Sequence, residues 1–267
     1  HSTAVPSIQS TGTVSPQKVS SPDRELVRTD TLPEFYTRWK TLSVQGLRLV
    51  DFEADHQDGK DRFWGVFTPG SDGYALMQTA EYDELLAYGE TNSAHLVDIE
   101  MLTPGHGGGY MGVFREGARD QRIERRPLAT LEKDTVLQAQ LGLRLQDLEL
   151  FRNGYLALFT RSDVRARVFK AKGWDGFVRG WSNKSRGGTY LVDLEVSERS
   201  DGVPVYFGVF HRLVVDHGYA MHGGSLSDFR STESEYRRGP MALADFDPYF
   251  THAEAQMQSL KEQAHHY

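Results

Sequence analysis

A five-residue pattern, Leu-x-Asp followed by an apolar and an acidic residue, recurs five times along this 267-residue chain. Fourteen residues before each leucine stands a large apolar residue. Self-similarity at a period of 20–50 residues is typical of one supersecondary unit repeated along a chain, so we predict an array of like modules. The copies are 47, 49, 46 and 52 residues apart, and their leucines are Leu49, Leu96, Leu145, Leu191 and Leu243.

Each module is predicted to run strand, helix, strand, strand. In three copies a second apolar residue (Trp39, Leu86 or Trp181) lies four residues after the first, and this spacing marks one face of a helix. We predict helices over residues 33–45, 79–90, 130–141, 173–184 and 225–238. We expect them to pack on the sheets through the first apolar residue of each copy, which is Phe35, Tyr82, Leu131, Phe177 or Phe229.

The two ends of the array complement each other. A strand-like run around Val27 precedes the first helix, whereas the fifth copy lacks the Gly-apolar-Phe strand found after the first copy, at residues 65–67. A ring closed by its N-terminal strand would leave fewer exposed strand edges. We therefore predict a closed, α/β-propeller-like ring of five modules in which the N-terminal strand completes the last one, with an open α/β solenoid as the alternative.

Three segments follow from this prediction. Residues 1–24 are rich in Ser, Thr and Pro and are predicted to form a disordered tail or linker. Residues 25–248 form the five-repeat domain. Residues 249–267 are predicted to form a C-terminal helix and tail, because Thr251 and Glu254 resemble a capping box and Met257 and Leu260 give an apolar face.

Composition narrows the function classes. The chain has no cysteine, which excludes disulfides, thiolate metal sites and cysteine nucleophiles. A net charge of −7 argues against general nucleic-acid binding, although residues 115–172 carry thirteen basic and eight acidic side chains. No run approaches the roughly 18 apolar residues of a membrane span. The tail resembles the segment that follows a removed signal peptide, and we expect an extracytoplasmic location.

A row of carboxylates follows the Leu-x-Asp strands. Strict alternation would place Leu49, Asp51 and Glu53 on one side of the strand and Val50 and Phe52 on the other. Converging carboxylates suit a divalent cation or an amine-bearing ligand. Alternatively, each one satisfies backbone donors of a neighbouring module or pairs with an arginine. The candidate binding residues are Asp51, Glu53, Asp98, Glu100, Asp147, Glu149, Asp193, Glu195, Asp245 and Asp247.

Other residues contribute less to the functional prediction. Trp174 lies outside the helical register and is predicted to make an exposed contact. His211, His217 and His222 are read as scattered histidines and not as a metal site. No catalytic residue is assigned, because the sequence holds none of the common hydrolase, zinc-protease or nucleotide-binding motifs.

Residues 46–53 and 63–67, with Trp39 ten residues before Leu49, resemble the bacterial tandem repeat that is also called the polyglycine hydrolase-like structural repeat. The resemblance covers about residues 25–247. In secreted hydrolases of that family the repeats accompany a β-lactamase-like serine hydrolase domain. We expect only the repeats here, because the single Ser-x-x-Lys, at residues 15–18, lies in the tail.

Together these features predict a secreted or periplasmic, non-catalytic repeat module that binds a ligand or a protein. Two alternatives stay open: a hydrolase or peptidase with its site at the ring centre or module edge, and a structural partner domain of a larger assembly. We expect a monomer with no organic cofactor and no nucleic-acid partner. A divalent cation is one candidate ligand, and a protein or a polymer is the other.

Overall fold

The computed structural model describes residues 24–57, 60–102, 108–151, 153–197, 203–212, 219–225, 241–250 and 255–263. The chain divides into two compact units, His1–Arg119 and Asp120–Tyr267. Within the described residues no helix has the length and apolar character needed to cross a membrane.

Unit 1 contains two modules with the same order of elements. The elements of the first are β1 (Glu25–Thr29), α1 (Leu32–Val44), β2 (Leu47–Gln57) and β3 (Lys60–Pro69). Those of the second are β4 (Tyr74–Thr79), α2 (Tyr82–Asn92), β5 (Ala94–Met101) and β6 (Tyr110–Glu116). Each sheet is antiparallel and its last strand lies in the centre, in the orders β1-β3-β2 and β4-β6-β5.

Unit 2 repeats this sheet order three times. Its third and fourth modules contain β7 (Gln121–Pro127), α3 (Leu131–Gln140), β8 (Leu143–Phe151), β9 (Gly154–Arg161), β10 (Ala166–Lys172), α4 (Trp174–Arg186), β11 (Thr189–Ser197) and β12 (Val205–Arg212). A short 3₁₀ turn, Leu128–Thr130, leads into α3. The fifth contains β13 (Tyr219–Ser225), β14 (Met241–Phe250) and β15 (Ala255–Gln263).

Four of the predicted helices correspond to α1–α4, with ends displaced by at most a few residues. The second shows the largest displacement of a start, because β4 continues to Thr79 and α2 begins at Tyr82. The predicted fifth helix falls almost entirely on residues 226–240, which lie outside the described residues.

The predicted N-terminal closure is wrong. β1 pairs with β3 of its own module, and β15 occupies the centre of the fifth sheet between β13 and β14. The fifth module therefore has a central strand of its own, and the predicted C-terminal helix from residue 249 is wrong as well. The apolar spacing of Met257 and Leu260 is compatible with a helix, but pairing with two strands overrides this local signal. No closed sheet occurs among the described strands, and the five-fold ring and its open-solenoid alternative stay predictions.

Each Leu-x-Asp strand contains a β-bulge at its middle residue. In β2 the register shifts between Leu49 and Asp51, so that Leu49 pairs with Phe67 and Phe52 pairs with Gly65. Directly paired residues point to the same side of a sheet, and a bulge reverses the alternation beyond it. Leu49 and Phe52 therefore share the helix-facing side and Asp51 lies opposite them, so the predicted strict alternation is wrong. The other four strands shift in the same place.

The first module shows how a helix is packed on its sheet. Phe35 of α1 meets Phe52 edge-on, with ring centroids 4.8 Å apart. A Cβ at Gly65 would lie 2.7 Å from both Leu49 and the Phe35 ring, so only glycine permits this close approach. On another side of α1, Trp39 meets Tyr74 of the next sheet at 5.2 Å. The helix is therefore covered by its own sheet and by the following one.

The second, third and fourth modules anchor their helices in the same way. Leu131 of α3 packs in one buried cluster with Leu148 of its own sheet and Phe207 of the next sheet. Phe177 of α4 lies over Gly208, as Phe35 lies over Gly65. In α2 this position belongs to Leu85, which is fully buried and lies over Gly112. The predicted anchor Tyr82 is only half-buried, since α2 begins too late to bring Tyr82 over the sheet.

Candidate functional site

Three carboxylates of the predicted row accept backbone N–H groups of a neighbouring module. Asp98 Oδ2 accepts the N–H of Phe52 at 2.9 Å, and Glu100 Oε1 accepts the N–H of Ala54 at 3.2 Å. In unit 2, Glu195 Oε2 accepts the N–H of Leu150 at 3.3 Å, the equivalent contact. The accepting residues cover β2 and β8, which are edge strands of their sheets. Side chains that cover an edge protect it from pairing with another chain.

The row is largely withdrawn from solvent. Glu53 is half-buried, and a carboxylate oxygen of Glu53 lies within 4.8 Å of one of Glu100. Carboxylates at this distance repel each other, and hydrogen bonds such as that from Ala54 to Glu100 offset part of the repulsion. Asp245 and Asp247 lie on β14, where side chains are outside the described part of the chain. The buried members are Asp51, Asp98, Glu100, Asp147, Glu149, Asp193 and Glu195.

Trp174 is half-buried at the start of α4. Its ring lies 5.4 Å from Tyr206 and 6.3 Å from Phe177, measured between centroids. The side chain thus belongs to the packing between α4 and its own sheet, and its exposed part is smaller than the sequence led us to expect.

His211 is buried and hydrogen-bonded to the neighbouring module. Its Nε2 donates to the backbone carbonyl of Leu145 at 2.7 Å, and its ring meets Tyr190 at 5.8 Å. Burial, and secondarily the positive charge of Arg144, lower the pKa of His211 to about 4. The imidazole is therefore neutral at neutral pH and acts as a fixed donor. His217 and the side chain of His222 lie outside the described residues.

His56 and Asp61 form an exposed cross-strand pair. Nδ1 of His56 lies 2.6 Å from Oδ1 of Asp61, near the turn between β2 and β3. Polar cross-strand pairs of this kind commonly stabilise a hairpin. Because the His56–Asp61 pair lies on an exposed hairpin, its geometry gives little support for a catalytic role.

Sequence reasoning missed a group of exposed apolar side chains on the outer side and at the C-terminal end of α3. Val136, Leu137 and Leu141 are 58%, 45% and 56% exposed. Val136 and Leu137 lie on α3, and Leu141 is the C-cap residue that directly follows it, four residues after Leu137. We call these three residues the α3 apolar stripe.

Equivalent positions of the other described helices are polar. The first two stripe residues lie five and six positions after the core anchor Leu131. Comparing helices position by position from their anchors would have revealed the difference in the sequence. Counted from Phe35, Leu85 and Phe177, the same positions hold Lys40 and Thr41, Glu90 and Thr91, and Ser182 and Asn183.

Buried polar contacts fix α3 to its sheet. Asp134 Oδ2 accepts the hydroxyls of Thr130 at 2.5 Å and Tyr155 at 2.6 Å. Burial opposes ionisation of Asp134, but these hydrogen bonds outweigh it and hold the pKa of the carboxyl below its usual value. Further along the helix, Gln138 donates to Glu124 of β7 at 3.2 Å. The stripe therefore lies on a helix that is anchored near both ends.

Glu124 also holds two arginines beside α3. Its carboxylate pairs with Arg122 at 2.6 Å and with Arg126 at 3.0 Å. The Glu124 side chain is only 9% exposed, whereas those of Arg122 and Arg126 are 50% and 56% exposed. The surface next to the α3 apolar stripe thus presents two guanidinium groups and hides the carboxylate that they share.

No protein-family model matches this chain, and no curated protein is significantly similar to it. The resemblance to the bacterial tandem repeat, together with the function that it implies, therefore stays a prediction.

Proposed function

We propose that this protein is a non-catalytic binding module that docks a segment of another protein on the α3 apolar stripe. One observation carries the proposal: Val136 and Leu137 are exposed on α3 at positions where the other described helices carry polar residues, and Leu141, which directly follows the helix, is exposed as well. The fold itself does not require apolar residues there, because α1 occupies the same place with Lys40 and Thr41.

The energetics favour a partner on this surface. Removing apolar surface from water contributes roughly 25 cal/mol per Å², so covering the stripe is favourable. Side chains on a fixed helix lose less conformational freedom on binding than those on a mobile loop, and pre-organisation lowers the cost of association. The contacts of Asp134 and Gln138 provide this fixation.

The carboxylates give less support to the enzyme alternative. Asp98, Glu100 and Glu195 accept backbone N–H groups, which is a structural use of these groups. A general acid or base has to reach a substrate with its reacting atom. Their involvement in strand edges supports a scaffold that presents a surface over one that performs chemistry.

Peptide display tests the proposal. A random peptide library is selected on the full chain and, in parallel, on the variant Val136→Lys, Leu137→Thr, Leu141→Gln, which carries the α1 residues at the equivalent positions. We expect enriched peptides to bind the wild type and to lose at least about tenfold in affinity, or 1.4 kcal/mol, on the variant. The matched control replaces Lys40, Thr41 and Gln45 by alanine on α1 and should bind like the wild type. Recovery of the same peptides by all three proteins would reject docking on α3.

A further inference from the structure

We infer that the segment bound by the α3 apolar stripe is an acidic amphipathic helix of a partner protein. This inference rests on the proposed function and adds the chemistry of the ligand. It follows from the cations beside the stripe, from the kind of surface that a helix offers, and from the poor fit of a second copy of this chain.

The arginines beside the α3 apolar stripe are side chains of β7. Gln138 contacts Glu124, and Glu124 pairs with Arg122 and Arg126, so both arginines flank the side of α3 that carries Gln138. Leu141, the C-cap residue, lies three residues after Gln138, and its N–H donates to the Gln138 carbonyl at 3.0 Å, so the two residues lie one above the other at the end of the helix. The arginines therefore border the side of the helix that carries Leu141.

Three cations at this border outnumber the two carboxylates beside them, which are the buried Glu124 and the partly buried Asp134. Two guanidinium groups share Glu124, and the surface also carries exposed Lys133 on α3 itself. Two further pairs near the helix, Arg161 with Asp120 and Lys170 with Glu132, have both members exposed and are balanced. A ligand with carboxylates beside its apolar residues would match both the border and the stripe.

The shape of the surface favours a helical ligand. Along its length α3 presents mainly side chains, because N–H and C=O groups in the interior of a helix bond to each other. A bound strand would need a free sheet edge for its main-chain hydrogen bonds. A ligand helix needs only apolar residues at i, i+3 or i+4, and i+7 to pack against Leu137 and Leu141.

A second copy of this chain fits less well. In a two-fold dimer the same patch meets itself, so Arg122, Arg126 and Lys133 would face the same cations of the partner. Like charges across an interface are unfavourable. Three partly exposed aliphatic side chains also fall well short of the roughly 800 Å² per partner of a stable interface. A short acidic helix on a small surface corresponds to a weak, transient complex.

Synthetic peptides test the inference. Three peptides of equal length are titrated into the full chain: an acidic amphipathic helix, the same helix with each Glu replaced by Gln, and the acidic helix with its apolar residues replaced by Ser. We expect the acidic helix to bind at least about tenfold more tightly than either other peptide. High salt should weaken its binding towards that of the Gln peptide, because screening acts on exposed charges.

Variants of the protein test whether the cations beside the stripe cause the preference for the acidic helix. Replacing Arg122, Glu124 and Arg126 together by Gln removes the two guanidinium groups without leaving a buried carboxylate unpaired. This variant should reduce binding of the acidic helix to the level of the Gln peptide. Lys133→Gln lies on the exposed surface and should lower the affinity in the same direction, which keeps the inference testable if the triple variant unfolds. Arg38→Gln is the matched control, since Arg38 is 46% exposed and ion-paired with Glu25 but lies on α1.

The outcomes separate the two proposals. If the Gln peptide or a basic helix binds as tightly as the acidic one and Leu137→Thr abolishes that binding, docking on α3 stands and the acidic ligand is wrong. If the acidic helix binds Leu137→Thr as tightly as the wild type, the surface is a general anion site and both proposals are wrong. The same conclusion follows if heparin, used as a polyanion, displaces the acidic helix equally well from the wild type and from Leu137→Thr. If none of the three peptides binds but α3-dependent peptides without acidic residues emerge from display, only the ligand assignment is wrong.

Discussion

α1 and α3 occupy the same place in their modules but distribute their apolar residues differently. α1 directs Phe35 and Trp39 inward and exposes Lys40, Thr41 and, at its last residue, a single large aliphatic side chain, Val44. In contrast, α3 directs Leu131, Thr135 and Gln138 inward and exposes the α3 apolar stripe. Thr135 donates a hydrogen bond to the carbonyl of Leu131 at 2.8 Å, and the Gln138 amide N–H donates to Glu124 at 3.2 Å. The helix of the first module, α1, thus serves mainly packing. The equivalent helix α3 in unit 2 exposes more aliphatic side chains.

The sharpest test of this difference replaces the equivalent inner residues Trp39 and Thr135 by alanine. Trp39→Ala should cost about 3–5 kcal/mol of the free energy of unfolding, because it leaves a large cavity between α1 and Tyr74. Thr135→Ala should cost about 1 kcal/mol, because it removes a small side chain and one hydrogen bond. Denaturant unfolding measures both, and equal losses would mean that the two helices contribute equally to packing.

A second test compares two equivalent residues that make polar contacts outside their own sheets, Arg115 in unit 1 and His211 in unit 2. His211 lies at the place that Arg115 holds in unit 1, where Arg115 forms an ion pair with Asp72. Because the folded protein lowers the pKa of His211 from 6.5 to about 4, the unfolded chain binds the proton first. The free energy of unfolding should therefore fall as pH falls from about 6.5 to about 4, by roughly 3 kcal/mol at most.

The variant His211→Gln isolates this effect. Glutamine keeps an N–H donor for the carbonyl of Leu145 but does not titrate. Thermal unfolding across this pH window should therefore show a shallower loss in the variant than in the wild type. Parallel curves for the two proteins would contradict the assignment of the acid sensitivity to His211.

A third test concerns the carboxylates that cover the strand edges. Asp98→Ala should cost about 1–3 kcal/mol, because it leaves the buried N–H of Phe52 without its acceptor. Asp98→Asn retains an acceptor oxygen and should cost less. Exposed Glu90→Ala on α2 is the control and should change the free energy of unfolding by less than about 0.5 kcal/mol.

The same variants test the predicted divalent cation. If calcium or magnesium raises the Tm of the wild type but not of Asp98→Asn, the row binds a cation in addition to covering the edge. If the ions leave the Tm of both proteins unchanged, covering the strand edges is enough to explain the row.

The smallest expected effect is on the stripe. Leu137→Thr should change the free energy of unfolding by less than about 0.5 kcal/mol, because the side chain is 45% exposed. Differential scanning calorimetry measures this effect. A loss above 2 kcal/mol would show that Leu137 serves folding, and the contrast between α1 and α3 would then lose its functional meaning.

The site was only partly predictable from the sequence. Asp98, Glu100 and Glu195 appeared there as members of a repeated row, and repetition left a cation site and a structural use as alternatives. Hydrogen bonds to Phe52, Ala54 and Leu150 distinguish the roles, and such contacts depend on which modules are neighbours. The stripe of α3 could have been found by aligning the helices, but Leu137 and Leu141 at i and i+4 look like an ordinary core face. Only burial shows that this face is outside.

The sequence by itself determined which segments form the described helices and which residues anchor α1, α3 and α4, because side-chain periodicity and the repeat spacing are local properties. Tertiary structure decided the partners of β1 and β15, the anchor Leu85 in place of Tyr82, and the bulge that turns Asp51 away from Leu49. Strand pairing and register depend on contacts between distant residues. A one-residue bulge changes which face a side chain occupies while leaving the amino-acid pattern unchanged.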